Sequence, residues 1–357
     1  MPAPCFDGGA RALVDGGVAL VARGHSALIA TAAGGDVERV ARALGLETVA
    51  VAEVANSYRR SRELKRILAA QHPDLIAVTS ESDLLGAAWA VRRENRPVLM
   101  RRVATEEAFE RHWRARLAER RATVAYLVAT TGSVRPVVDG GEVVSASLCV
   151  RVPAQPADTG DVTAPRLVCA AGSVRTAALG EALRAFALLR ERYARLRLAV
   201  VGDVAADPDV QLHAASLGVA DHVDWVSDAV AREAAMRHGT VGCVVAQGDE
   251  EILGCLDLMA SGIPFVSTRT TETERYVAHG IHAVLLNALE PSRVAAELSV
   301  LLASPSRREA MGLAARARVE RDYSDRQVAA VLEQAARRVR DRARVPVRAG
   351  AGAGGAR

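Results

Sequence analysis

What this chain lacks narrows it first. Of its 46 basic residues only Lys65 is a lysine, so any chemistry that needs a lysine elsewhere is excluded. The excess of arginine, with abundant Ala, Val and Gly, fits a high-GC coding bias better than a surface shaped for phosphate. The five cysteines (Cys5, Cys149, Cys169, Cys243, Cys255) form no C-x-x-C pair, which points to a reducing compartment and no disulfide frame. No apolar run approaches the roughly 18 residues of a membrane span, and Met1-Pro-Ala-Pro-Cys-Phe-Asp lacks the basic start and apolar stretch of a secretion signal. These absences lead us to expect a soluble, cytoplasmic protein. There is also no G-x-G-x-x-G after a strand, no P-loop, no H-E-x-x-H and no G-x-S-x-G elbow. His279 and His282 stand three apart with no third ligand in view. They read as a surface turn, and no metal is expected.

Charge excludes one further class. Basic residues exceed acidic ones by 46 − 42 = 4, but Ala335–Arg357 alone holds seven arginines against one aspartate. The body of the chain is therefore slightly acidic, which argues against a nucleic-acid-binding domain, whose affinity comes from clustered cations.

What is present is a globular chain of 357 residues, half of them hydrophobic, enough for two domains. Strand-length apolar runs (27–31, 48–51, 75–79, 97–101 and 124–129, then 167–170, 198–201, 223–226, 241–246, 264–268 and 283–286) alternate with helical patterns. Between the first two, Val37, Val40, Ala41 and Leu44 repeat with helical spacing, with Asp36 read as the cap and Gly45 as the stop. Such alternation predicts an α/β protein with parallel sheets covered on both faces. Glycines and prolines crowd the stretch 137–165, which places a boundary between a lobe at 1–150 and a second at 151–330. Residues 331–357 then read as a helix end and a disordered Arg/Gly/Ala tail. In open α/β sheets ligands bind beyond the carboxyl ends of the strands, so the cleft between two such lobes is the expected site. The chain opens almost directly into Gly8-Gly9 and a helix, so either the true start lies further upstream or the first lobe lacks its opening strand.

The most informative segment is Asp249-Glu-Glu-Ile-Leu-Gly-Cys-Leu-Asp257-Leu-Met-Ala-Ser-Gly262-Ile-Pro264-Phe-Val266. It reads as an acidic loop after a strand, then a short helix closed by Gly262. This segment resembles the E-x7-E signature of family-4, or group 1, glycosyltransferases of the GT-B fold. There it runs E-G-F-G-L-P-x-L-E-A-M-A-x-G-x-P-V-V. Gly8-Gly9-Ala10, Arg23-Gly24-His25, Pro73-Asp74-Leu75-Ile76 and Leu198-Ala-Val-Val-Gly202-Asp203 match further family elements in order.

The resemblance implies two Rossmann-like lobes facing a central cleft. The first would hold the acceptor and the second a nucleoside-diphosphate sugar. It implies a retaining transfer that needs no cofactor and no protein nucleophile. By position, Asp249, Glu250 or Glu251 would meet the transferred sugar and Asp257 the ribose hydroxyls. The backbone of Ile252, Leu253 and Gly254, with Gly8 and Gly9, would complete the donor site. The acceptor is a sugar, a lipid-linked sugar or a small natural product.

Several departures stand out. Both signature glutamates are aspartates, and Glu250-Glu251-Ile252 replaces G-F-G. Gly172 and Ala177 stand where the family carries the Arg and Lys that neutralise the donor diphosphate. Arg175, in the same loop, is the candidate replacement, its planar fork being suited to phosphate. These losses define the alternative reading, a catalytically weak or inactive relative that binds a partner. Another GT-B enzyme, such as a sugar-nucleotide epimerase, is a third, whereas a pyridoxal-dependent phosphorylase would need a second-lobe lysine. Arg101-Arg102 could face an acceptor. Glu81 and Asp83 read as the polar first turn of a capped helix, and the terminal arginines as a solvated face, with weak contact to an anionic membrane as the alternative.

Overall fold

The computed structural model describes residues 8–51, 57–91, 97–103, 113–128, 142–145, 147–159, 163–171, 176–202, 207–227, 229–245 and 248–344. The first lobe comprises α1 (Gly8–Ala22), β1 (Leu28–Thr31), α2 (Asp36–Ala43), β2 (Glu47–Ala50), α3 (Ser57–Gln71), β3 (Leu75–Val78), α4 (Glu81–Ala90), β4 (Val98–Val103), α5 (Trp113–Glu119), β5 (Val124–Val128) and β6 (Glu142–Ser145). The second comprises β7 (Arg166–Ala171), α6 (Thr176–Arg192), β8 (Arg197–Val201), α7 (Pro208–Ser216), β9 (Val223–Val226), α8 (Ala229–Arg237), β10 (Val241–Val245), α9 (Gly248–Ala260), β11 (Phe265–Thr268), α10 (Thr273–Tyr276), β12 (Val284–Leu286), α11 (Pro291–Ala303) and α12 (Pro305–Asp322). A last helix, α13 (Asp325–Arg344), returns to the first lobe.

Every ladder between these strands is parallel. The second lobe is one six-stranded sheet in the order β12-β11-β10-β7-β8-β9, with the strand order reversing between β7 and β10. Its strands are nearly continuous apolar runs because helices cover both faces. One side packs Phe186, Leu183 and Leu298, and the other packs Leu256, Leu258 and Phe265. The first lobe is divided. Among the described residues β1 and β2 pair only with each other, while β3-β4-β5-β6 form a separate sheet. β6 is a correction to the sequence reading, which found only boundary signals around Glu142–Ser145. Val143 and Val144 pair with Tyr126 and Leu127, making this segment the edge of the first-lobe sheet.

Two helix starts also repay comparison with the sequence. Asp36 is the first residue of α2 rather than its cap; Gly35 occupies the cap position with no side-chain bond. Asp36 and Glu38 instead place negative charge in the first turn, where the helix dipole favours it. Gly45 does end this helix, at φ +78°, and its N–H bonds the carbonyl of Arg42. Ahead of α4, the Ser80 hydroxyl accepts the N–H of Asp83 at 3.1 Å, so that helix is capped as read.

Arginines do much of the joining. Arg308, 1 % exposed, donates to the carbonyls of Leu301, Leu302 and Thr159, which satisfies the orphan end of α11. Arg316 donates to the carbonyls of Ala260 and Pro153, each at 2.7 Å, and so closes α9. α13 lays Leu332, Ala335 and Ala336 on Val98, Met100 and Leu127 of the first lobe. Arg337 and Arg338 face solvent on its outer side, and Arg340 stands 3.4 Å from Asp74. Among the described residues no helix is long and apolar enough to cross a membrane.

Candidate functional site

The site grows from the carboxyl end of β10, a strand buried along its whole length. Gly248, at φ +61°, turns the chain, and α9 begins there. Asp249, Glu250 and Glu251 therefore occupy the first helical turn and not a loop, which corrects the sequence reading. The side chain of Asp249 lies outside the described residues. Glu250 is half-buried. Glu251 is only 5 % exposed, and its Oε1 accepts the Thr268 hydroxyl at 2.7 Å. Burial pushes its carboxyl above the usual range, although the bond from Thr268 pulls the other way.

Ile252, Leu253 and Gly254 fall inside α9. The side chains of Ile252 and Leu253 belong to the core, and amides beyond the first turn bond within the helix. A Cβ on Gly254 would stand 3.2 Å from Ala170 Cβ and from Val244 Cγ1. Its smallness thus serves the close approach of helix to sheet. Gly262 has a structural task as well. It holds φ +72°, and a Cβ on Gly312 would lie 2.2 Å from the Gly262 carbonyl, so α12 crosses the end of α9 in near-backbone contact.

Asp257, two turns along α9, faces the other lobe. Arg11 of α1 grips it with both ends of its guanidinium. Nη1 bonds Oδ2 at 2.7 Å and Nη2 bonds Oδ1. Both side chains keep only 13 % exposure. Arg232 of α8 approaches from the second lobe, 3.9 Å from Oδ2, and Asp15 lies 3.5 Å from Arg11 Nε. Burial opposes the charge on Arg11, but the Asp257 and Asp15 carboxylates more than offset it and raise its pKa. Asp15, 7 % exposed, is pushed upward chiefly by burial, with Arg11 opposing. Its Oδ2 has no hydrogen-bond partner.

The remaining candidates divide. Gly8 and Gly9 form the first turn of α1, not a loop before it, one turn from Arg11. Arg175 and Gly172 lie outside the described residues. Arg101 is buried with Nη1 3.3 Å from Glu81, which occupies it inside the first lobe. The Arg102 side chain is not among the described ones. Arg23 and His25 both bond Glu333 of α13, so Arg23-Gly24-His25 anchors that helix. His279 Nδ1 and His282 Nδ1 accept the backbone N–H groups of Leu285 and Ala278, both at 3.0 Å. His282 is buried, which corrects its reading as a surface residue. Arg11 went unnoticed in the sequence because it is one arginine among 45. The only available signal was its place one turn into the helix that Gly8-Gly9 opens.

Comparison with known proteins fits this arrangement. Residues 164–304, which contain β7 through α11, match the model of the glycosyl transferases group 1 family. That match takes in most of the second lobe. The GDP-mannose-dependent alpha-(1-6)-phosphatidylinositol monomannoside mannosyltransferase of Mycolicibacterium smegmatis is 30 % identical over 161 residues. The match spans 43 % of this chain and 42 % of that protein, so less than half of the relative's length is covered. The fold of the whole chain is GT-B. The structure of HepE from Anabaena with UDP-glucose superposes with a TM-score of 0.66 at 15 % identity, over 94 % of this chain and 96 % of that one. Sucrose-phosphate synthase from Thermosynechococcus elongatus gives 0.63 at 14 % identity, over 92 % of each chain.

Proposed function

We propose that this protein is a retaining glycosyltransferase that moves a sugar from a nucleoside diphosphate to an acceptor without a metal or other cofactor. One observation carries the reading. In a lobe whose residues 164–304 match the group 1 family, a carboxylate of the signature helix, Asp257, faces the opposite lobe, where it meets Arg11 of α1. A carboxylate there accepts hydrogen bonds from a ribose diol, an arrangement stronger than one between neutral groups. In this reading Glu250, in the first turn of α9, meets the transferred sugar, with Asp249 beside it in sequence. The second lobe holds the donor, and the acceptor approaches from the first. It is a sugar, a lipid-linked sugar or a small natural product. The departing diphosphate takes the acceptor's proton.

The pairing of Asp257 with Arg11 favours a second reading, a relative that binds without transferring, because the candidate donor carboxylate is already engaged. One experiment separates the two. Purified protein is assayed for binding and hydrolysis of UDP-, GDP- and dTDP-sugars, alongside Asp257→Asn. The transferase reading expects turnover of one donor. The variant should lose about ten- to a hundred-fold in affinity for it, the worth of a charge-assisted hydrogen bond. Binding without turnover, across a panel of acceptors, would select the second reading.

A further inference from the structure

The cluster at Asp257 is arranged in a way the proposed reaction uses. Two guanidiniums, Arg11 and Arg232, face the Asp257 carboxylate. The other acid in reach of Arg11, Asp15, is buried and lies 3.5 Å from Nε, so it leaves both Nη atoms of Arg11 to Asp257. Two guanidiniums thus converge from opposite lobes on the residue that would bind ribose. A nucleoside diphosphate puts its negative charge directly beside the ribose, and that charge needs a partner. Lysine cannot supply one, since Lys65 on α3 is the only lysine in the chain.

We infer that Arg11 is a donor-binding residue supplied by the first lobe, which holds Asp257 when the site is empty and the donor diphosphate when it is filled. The inference rests on the donor reading above. When a ribose diol takes the Asp257 oxygens, Arg11 loses the acceptors of both Nη atoms and keeps only Asp15, 3.5 Å from Nε, while remaining 13 % exposed. A buried cation stripped of its hydrogen bonds is disfavoured, whereas a planar guanidinium fork matches a phosphate as well as a carboxylate. The exchange removes that penalty and draws α1 onto the donor. Because Arg11 and Asp257 sit on opposite lobes, the first lobe thereby registers whether the second is occupied.

The test compares ligands that differ only in phosphate. Affinities of UDP, UMP and uridine, and of GDP, GMP and guanosine, are measured by calorimetry for the wild type, Arg11→Ala and Arg11→Lys. We expect Arg11→Ala to weaken the diphosphate about ten- to a hundred-fold. The nucleoside should bind as before or somewhat better, because Asp257 is released. Arg11→Lys keeps the charge without the fork and should recover part of the loss, and it carries the same comparison should Arg11→Ala fail to fold. Equal losses for all three ligands would make Arg11 a scaffold for Asp257 and overturn the inference. Unchanged diphosphate affinity would overturn it too, and in both cases the donor reading would stand. A wild type that binds neither series would remove the donor reading and this inference together.

Discussion

In the second lobe β7 stands between β8 and β10 and pairs five residues with each. The first lobe follows the same order of elements, α1-β1-α2-β2-α3-β3 against α6-β8-α7-β9-α8-β10. Yet among the described residues no strand stands between β1 and β3, and the sheet falls into two pieces. The difference shows what a central strand contributes beyond its own hydrogen bonds. With it, Leu198, Val200, Val241 and Cys243 share one core on a single face of the sheet. Among the described residues of the first lobe, the small cluster of Val14, Val37, Ala41 and Leu46 is separate from that of Leu84, Leu99 and Tyr126. The first lobe is bridged by helices instead. Leu20 of α1 packs with Leu332 of α13 against the β4 and β5 residues Val98 and Leu127.

This contrast can be broken from either side. Phe186→Ala empties a fully buried position in the second lobe and should cost about 3–5 kcal/mol in chemical denaturation. Ile29→Ala, at a half-buried position on β1, should cost less than half of that. Similar losses would mean that the divided lobe is packed as tightly as the whole one. Gly312→Ala comes next. A Cβ 2.2 Å from the Gly262 carbonyl must push α12 away from α9, at about 1–3 kcal/mol for an overpacked contact. Hydrogen exchange sharpens the comparison without mutation. Amides of β7, paired on both sides, should exchange at least about ten-fold more slowly than those of β1 and β3, which each have one neighbour among the described residues.

The same contrast explains what the sequence could convey. The second-lobe strands were legible because burial on both faces makes them apolar runs, as at Val241–Val245. β6 was hidden because Val143 and Val144 are framed by glycine and serine, and only pairing with β5 makes them a strand. Within the site, the spacing of the signature located Asp257, since a helix repeats its faces at fixed intervals. It could not tell that α9 begins at Gly248, which carries Ile252 and Leu253 into the core. Nor could it find Arg11, whose place opposite Asp257 is created by the meeting of two lobes more than 200 residues apart in sequence.

The smallest expected effect tests the helical bridge of the first lobe. Glu333 on α13 accepts Arg23 Nε at 2.6 Å, Arg23 Nη2 at 3.0 Å and a bond with His25 Nε2 at 2.9 Å. The bonds from Arg23 and then His25 hold its carboxyl down at about 2. A carboxyl whose pKa is depressed by folding adds stability above its unfolded value, roughly 4.3. That contribution fades as pH falls from there through about 2. The bridge should thus be intact at neutral pH and weaken in acid, and the effect should shrink in salt because the pair is solvent-facing. Glu333→Gln should lower the thermal midpoint slightly at pH 7, and the difference from wild type should vanish towards pH 2. A difference that persists in acid would show that packing of Leu332, Ala335 and Ala336, and not the ion pair, fixes α13 across the divided lobe.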